Sequence, residues 1–141
     1  MAEKHVINTK WISDMTFEAD VDGYKIMMDA KPESGGHDAG SSPKKLMLVA
    51  LSGCTGMDVV SVLKKKRVEI EGCSIEVQGD VAEEHPKRYT KMHVIYTFTG
   101  KNLPMDKLRK AVSLSEETYC GVEALYKLAI EVTSEIKIIE S

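Results

Sequence analysis

From Leu46 to Leu63 the chain is apolar around most of a helix circumference, and no other feature limits its fold as much. Ser42 is a good N-cap and Pro43 suits the first helical position, so the helix is expected to start there and run to about Arg67. A helix apolar on nearly every side belongs in the middle of a fold, covered by more than one layer. Gly53 and Gly56 each weaken it by about 1 kcal/mol relative to alanine. Close approach of another backbone would explain them. The run Lys64-Lys65-Lys66-Arg67 then reads as the basic end that a helix dipole favours, rather than as a binding patch.

Strands are expected on both sides of this helix. Met15-Thr16-Phe17-Glu18-Ala19 alternates as on a half-buried strand, and Tyr24-Lys25-Ile26-Met27-Met28 follows the hairpin signal Asp22-Gly23. A weaker strand pattern covers Lys4–Lys10, and residues 32–42 have loop composition. After the helix, Cys73, Ile75 and Val77 form the inward set of one strand, and Met92, Val94, Tyr96 and Phe98 that of its partner. Helical segments follow, from near Pro104 to Thr118 and over Gly121–Ala129, and Ile130–Ile138 reads as a last strand. The class is α+β with a mainly antiparallel sheet.

At 141 residues the chain is read as one domain, 1–141, large enough to fold without a disulfide or metal. Its net charge of −3 gives no electrostatic reason for nucleic acid or an anionic membrane as partner. The N-terminus lacks the apolar run of a secretory signal, and nowhere are there about 18 consecutive apolar residues. A cytoplasmic setting is therefore expected, in which structural disulfides are rare. His5, His37, His85 and His93 are scattered and no cysteines are spaced Cys-x-x-Cys, so neither a metal nor a cofactor is expected.

Two of the three cysteines have settings that bear on chemistry. Cys54 lies within the apolar helix, where a free cysteine is ordinarily a core residue. Asp58, four residues on and on the same helix face, needs partners in such surroundings. It can cap or pair with another segment, or orient a site; its charge alone would raise a neighbouring thiol pKa. Cys120 precedes a short helix, whose free amides favour a thiolate. It reads equally as a packed cysteine. Cys73 reads as a core residue.

Longer stretches carry a resemblance. Gly35-Gly36-His37-Asp38-Ala39-Gly40-Ser41-Ser42-Pro43-Lys44-Lys45-Leu46, then Ala50-Leu51-Ser52-Gly53-Cys54-Thr55-Gly56-Met57-Asp58-Val59-Val60, resemble the loop and central helix of the osmotically inducible and organic hydroperoxide resistance family, OsmC/Ohr. Glu84-His85-Pro86-Lys87-Arg88-Tyr89 and Glu117-Thr118-Tyr119-Cys120-Gly121-Val122 are similar to that family too, the two cysteines lying 66 positions apart. The resemblance implies an OsmC-like fold along nearly the whole chain and an intertwined homodimer with sites at its interface. It also implies a two-cysteine reduction of organic hydroperoxides, with Cys54 attacking the O–O bond and Cys120 resolving the sulfenic acid to a disulfide. An external thiol would then reduce that disulfide. Leu51, Met57 and Tyr119 are the expected pocket residues.

The chain departs from the peroxidase members in one respect. They hold the thiolate with an arginine from the N-terminal half, paired with a glutamate just after the helix-start proline. Here Lys44 follows Pro43, and no arginine precedes Arg67. Arg67 would lie about 20 Å from Cys54 along a straight helix. Lys44 can supply charge but not the bidentate fork of arginine, and Arg88 can replace it only by folding over the site. The pattern is closer to the less characterised OsmC-like branch. Two functions follow from it: a peroxidase in oxidative-stress defence, or a non-enzymatic dimer that binds a small apolar or electrophilic ligand, its cysteines serving as pocket or redox-sensor residues. A purely structural scaffold would leave Cys54, Asp58 and Cys120 coincidental.

Overall fold

The computed structural model describes residues 2–141. The chain divides into two compact units, Met1–Met47 and Leu48–Ser141.

In the first unit β1 (Asn8–Ser13), β2 (Thr16–Val21) and β3 (Tyr24–Met28) form an antiparallel sheet in that order. Val21 pairs with Tyr24, so Asp22 and Gly23 make the two-residue turn, with φ of 53° and 90°. Positive φ at both positions marks the turn whose twist matches the strands, and Asp20 Oδ1 accepts from Gly23 N at 2.8 Å. The first strand sits later than the Lys4–Lys10 expectation. The alternation in Met15–Ala19 is only partly followed: Thr16 and Ala19 are buried, whereas Met15 and Phe17 are exposed.

The reason is polar. Buried Asp29 accepts from Thr16 Oγ1 at 2.8 Å and from the backbone N–H groups of Ala30, His37 and Ala39. Burial works against its charge, but these hydrogen bonds outweigh it and hold the carboxyl below its ordinary pKa. The loop from Ala30 to Ser41 is thus folded around one carboxylate. A Cβ on Gly36 would collide with the Ala30 carbonyl oxygen, which explains the small residue there.

The second unit holds the apolar core. In α1 (Leu46–Lys65), Leu51, Thr55, Val59 and Leu63 are buried at four-residue spacing. Residues 43–45 form a turn ahead of it, so the regular helix starts three residues later than Pro43 suggested. It ends in a Schellman motif: Val68 N donates to Leu63 O, and Arg67 N donates to Lys64 O. Arg67 takes the left-handed conformation at φ 58°, and the basic residues occupy the last turn as expected. By length and composition α1 is also apolar enough to cross a membrane, but its buried residues belong to the core cluster.

β4 (Gly72–Val81) pairs antiparallel with β5 (Tyr89–Gly100), and β6 (Glu131–Glu140) joins the other side of β5 in parallel. The expected inward set of β5, Met92, Val94, Tyr96 and Phe98, is buried throughout. Cys73 is not: it is exposed, one residue from the start of β4, and burial of that face begins at Ile75. α2 (Met105–Leu114) runs into a π turn, Ser115–Tyr119, and α3 (Gly121–Lys127) follows directly. Leu108, Ala111 and Val112 complete the cluster with Leu51, Val59, Leu63, the β5 residues and Cys120.

The architecture is α+β with two small three-stranded sheets and a long central helix. The pairing is mainly antiparallel, as expected, but the strands form two sheets rather than one, and the last strand pairs in parallel because α2 and α3 form the crossover that such a connection needs.

Candidate functional site

α1 presents two side chains one turn apart on the same side, Cys54 and Asp58, both half-buried. They lie between its buried face and an open face that carries Val49, Gly53, Met57 and Val60. The third member comes from the joint between α2 and α3. Cys120, only 3% exposed, is the N-cap of α3, and its Sγ accepts from Glu123 N at 3.3 Å. The Cys54 sulfur, the Cys120 sulfur and a carboxylate oxygen of Asp58 all lie within 4.8 Å of one another. The two cysteines expected to act together are therefore neighbours, and both are free thiols.

Ser115 makes this meeting precise in position. Its backbone oxygen accepts from Cys120 N at 2.8 Å, closing the π turn, while its Oγ donates to Asp58 Oδ2 at 3.0 Å. One fully buried serine thus ties the residue before α3 to the turn of α1 after Cys54. Single π turns recur at functional sites because the extra residue re-aims a side chain. Asp58 makes no ion pair among the described residues, so its charge is answered by a hydroxyl and by solvent.

The electrostatics of Cys120 run opposite to expectation. The helix-end amides do favour its thiolate, but burial pushes the thiol up, and a hydrogen bond with Cys54 pushes it further, to about 12. Behind it lies a second polar group that sequence reasoning missed: Glu123 is fully buried on the first turn of α3. Lys127 Nζ lies 3.0 Å from Glu123 Oε2. Burial raises the Glu123 pKa, Lys127 opposes that rise, and neighbouring Glu116 reinforces it. The hydroxyl of Tyr96, in the same core as Cys120, is buried beside Thr55.

The other expected site residues are not all gathered here. Tyr119, 58% exposed, lines a cavity of about 390 Å³ with Asp58, Ser61, Lys65, Lys66 and Leu114. Leu51 is instead fully buried in the core, and Met57 stands 78% exposed on the open face of α1, so a single chain does not join the three into one pocket. Lys44 lies in the turn 43–45, in the first unit. Arg88 is exposed in the β4–β5 hairpin, held by backbone bonds from Arg88 N to Pro86 O and from Ala82 N to Arg88 O. Gly53 has open space around it, and the nearest neighbour of Gly56 is the Ile75 side chain, so among the described residues no other backbone comes against either glycine.

Comparison with known proteins gives the family. The family model described as OsmC-like protein matches residues 35–135. Protein YhfA of Escherichia coli K12 is 32% identical over 131 residues, covering 92% of this chain and 95% of YhfA. A hypothetical protein from Aquifex aeolicus has the same fold, with a TM-score of 0.87 and 29% identity over 99% of both chains. An organic hydroperoxide resistance protein from Legionella pneumophila aligns with a TM-score of 0.70 but only 14% identity, covering 96% of this chain and 99% of that one, which shows the fold alone. The chain belongs to the OsmC-like family, a family that includes hydroperoxide-resistance peroxidases, and its sequence lies nearer to YhfA and the Aquifex protein than to those peroxidases.

Proposed function

We propose that this protein is a thiol-dependent peroxidase that reduces organic hydroperoxides through Cys54 and Cys120. The observation that carries this reading is the placement of both sulfurs within 4.8 Å, on elements tied together by Ser115. Cys54 is the more accessible thiol of the two and takes the attacking role. Its thiolate attacks one peroxide oxygen, the O–O bond breaks, and the departing alkoxide takes a proton and leaves as alcohol. Cys120, whose sulfur lies within 4.8 Å of the Cys54 sulfur, takes the second step. Its sulfur displaces hydroxide from the Cys54 sulfenic acid, its proton completes a water molecule, and an S–S bond forms. An external dithiol returns both cysteines to thiols, as a reducing cytoplasm would require.

We also place the working site in a homodimer. Val49, Gly53, Met57 and Val60 leave an apolar stripe of α1 uncovered, and open space at Gly53 suits close approach of a second α1. Binding of a small apolar or electrophilic ligand without turnover is the second reading. It is favoured by Lys44 at the position after Pro43 and by the high thiol pKa of Cys120.

The test is turnover of cumene hydroperoxide and hydrogen peroxide with a dithiol reductant. The peroxidase reading expects activity with the organic peroxide, background rates in Cys54→Ser, and a single inactivating turnover in Cys120→Ser. A wild-type protein without activity toward either peroxide sinks it.

A further inference from the structure

We infer that the reduced site also binds one zinc-type divalent cation, held by Cys54 Sγ, Cys120 Sγ and a carboxylate oxygen of Asp58. This goes beyond the peroxidase reading and does not depend on it: a metal can bind there whether or not the pair turns over.

Three features carry the inference. The first is donor geometry. Tetrahedral zinc, with bonds of about 2.3 Å to sulfur and 2.0–2.2 Å to oxygen, holds its donors roughly 3.5–3.8 Å apart. The three donor atoms already lie within 4.8 Å of one another, so side-chain rotation of about 1 Å closes the site. Two of them come from one helix at a four-residue spacing and the third from the N-cap of another.

The second is orientation by surrounding hydrogen bonds. Ligating carboxylates and thiolates are characteristically held by outer donors. Here Ser115 Oγ donates to Asp58 Oδ2 at 3.0 Å, and Glu123 N donates to Cys120 Sγ at 3.3 Å.

The third is charge. Asp58 is half-buried beside two thiols and makes no ion pair among the described residues. A divalent cation would supply the positive charge that Asp58 does not receive from an ion pair, and two sulfurs with one carboxylate suit zinc over magnesium or calcium once the thiols give up their protons to the metal. Asp58 also borders the cavity of about 390 Å³.

Metal and disulfide then exclude each other. When an organic hydroperoxide oxidises the loaded site, the two thiolates give two electrons to the O–O bond and the sulfurs join. Two protons from solvent complete alcohol and water, and the cation is released because disulfide sulfurs are poor ligands.

The experiment is an anaerobic titration of the fully reduced whole protein with Co²⁺, without peroxide. One equivalent is expected to give a thiolate-to-cobalt charge-transfer band with the visible bands of a tetrahedral ion, both bleached by Zn²⁺. Cys54→Ser and Cys120→Ser should lose the band, Asp58→Asn should bind at least ~10-fold more weakly, and Cys73→Ser should match wild type. A readout without variants is alkylation of the wild type: zinc should protect Cys54 and Cys120 but leave Cys73 reactive. No charge-transfer band in protein with three free thiols, or a band unaffected by Cys120→Ser, overturns the inference. Peroxide turnover is scored separately, so binding without turnover sinks only the peroxidase reading, and turnover without binding sinks only this one.

Discussion

The two faces of α1 solve different problems with the same kind of residue. One face buries Leu51, Thr55, Val59 and Leu63 in the chain's own core. The other shows Val49, Gly53, Met57 and Val60 to solvent, although it is no less apolar in sequence. Cys54 and Asp58 sit between them. Intramolecular packing therefore accounts for half of this helix, and the reactive residues lie where that packing stops.

The comparison can be broken by substitution. Leu63→Ala on the covered face is expected to cost ~2–5 kcal/mol in denaturant unfolding, since it empties a fully buried position. The same substitution at Val49 should change the unfolding of a dissociated chain by less than about 0.5 kcal/mol. Equal losses at both would erase the distinction. Met57→Glu puts a charge on the open face. It should leave circular dichroism unchanged and shift the proposed dimer to monomer in sedimentation, whereas an unaltered dimer would move the interface elsewhere.

Smaller effects sharpen the boundary between the faces. Ser115→Ala removes the hydroxyl that holds Asp58, which should cost ~1–3 kcal/mol and slow disulfide formation between the cysteines. Stability loss with an unchanged rate of disulfide formation would make Ser115 purely structural. Away from α1, the hydrogen-bonded Asp29 supplies a pH test. Its folded pKa lies below the ordinary value, so its contribution is present above about pH 4 and fades as pH falls through the folded pKa. Asp29→Asn should start from a lower melting temperature and lose less of it on acidification.

Much of this was legible in the sequence because it rests on local chemistry. Asp22-Gly23 specified a turn and the alternation from Met92 to Phe98 specified a buried strand face, whereas the pairing of Cys54 with Cys120 came from the family resemblance, since the local setting of each also fits a packed cysteine. What was not legible depends on partners far along the chain. Thr16 points inward because Asp29 is there to accept its hydroxyl, and Ser115 meets Asp58 from 57 positions away. Cys73 looked like a core residue from alternation alone, yet alternation does not say where the covering layer ends. Glu123 reads as an ordinary exposed first-turn glutamate, and only folding buries it beside Cys120 and Lys127. The thiol of Cys120 shows the same limit: its helix-end position was readable, but the burial that overrides it was not.

The central claim, that Cys54 and Cys120 form one redox site, is tested most directly by mapping disulfides after one equivalent of cumene hydroperoxide. The reduced protein is oxidised, free thiols are alkylated, and a non-reducing digest is read by mass spectrometry. The account predicts a Cys54–Cys120 linked peptide within one chain, with Cys73 fully alkylated. Oxidation confined to Cys73, or Cys54 driven to sulfinic acid while Cys120 remains a free thiol, would contradict it.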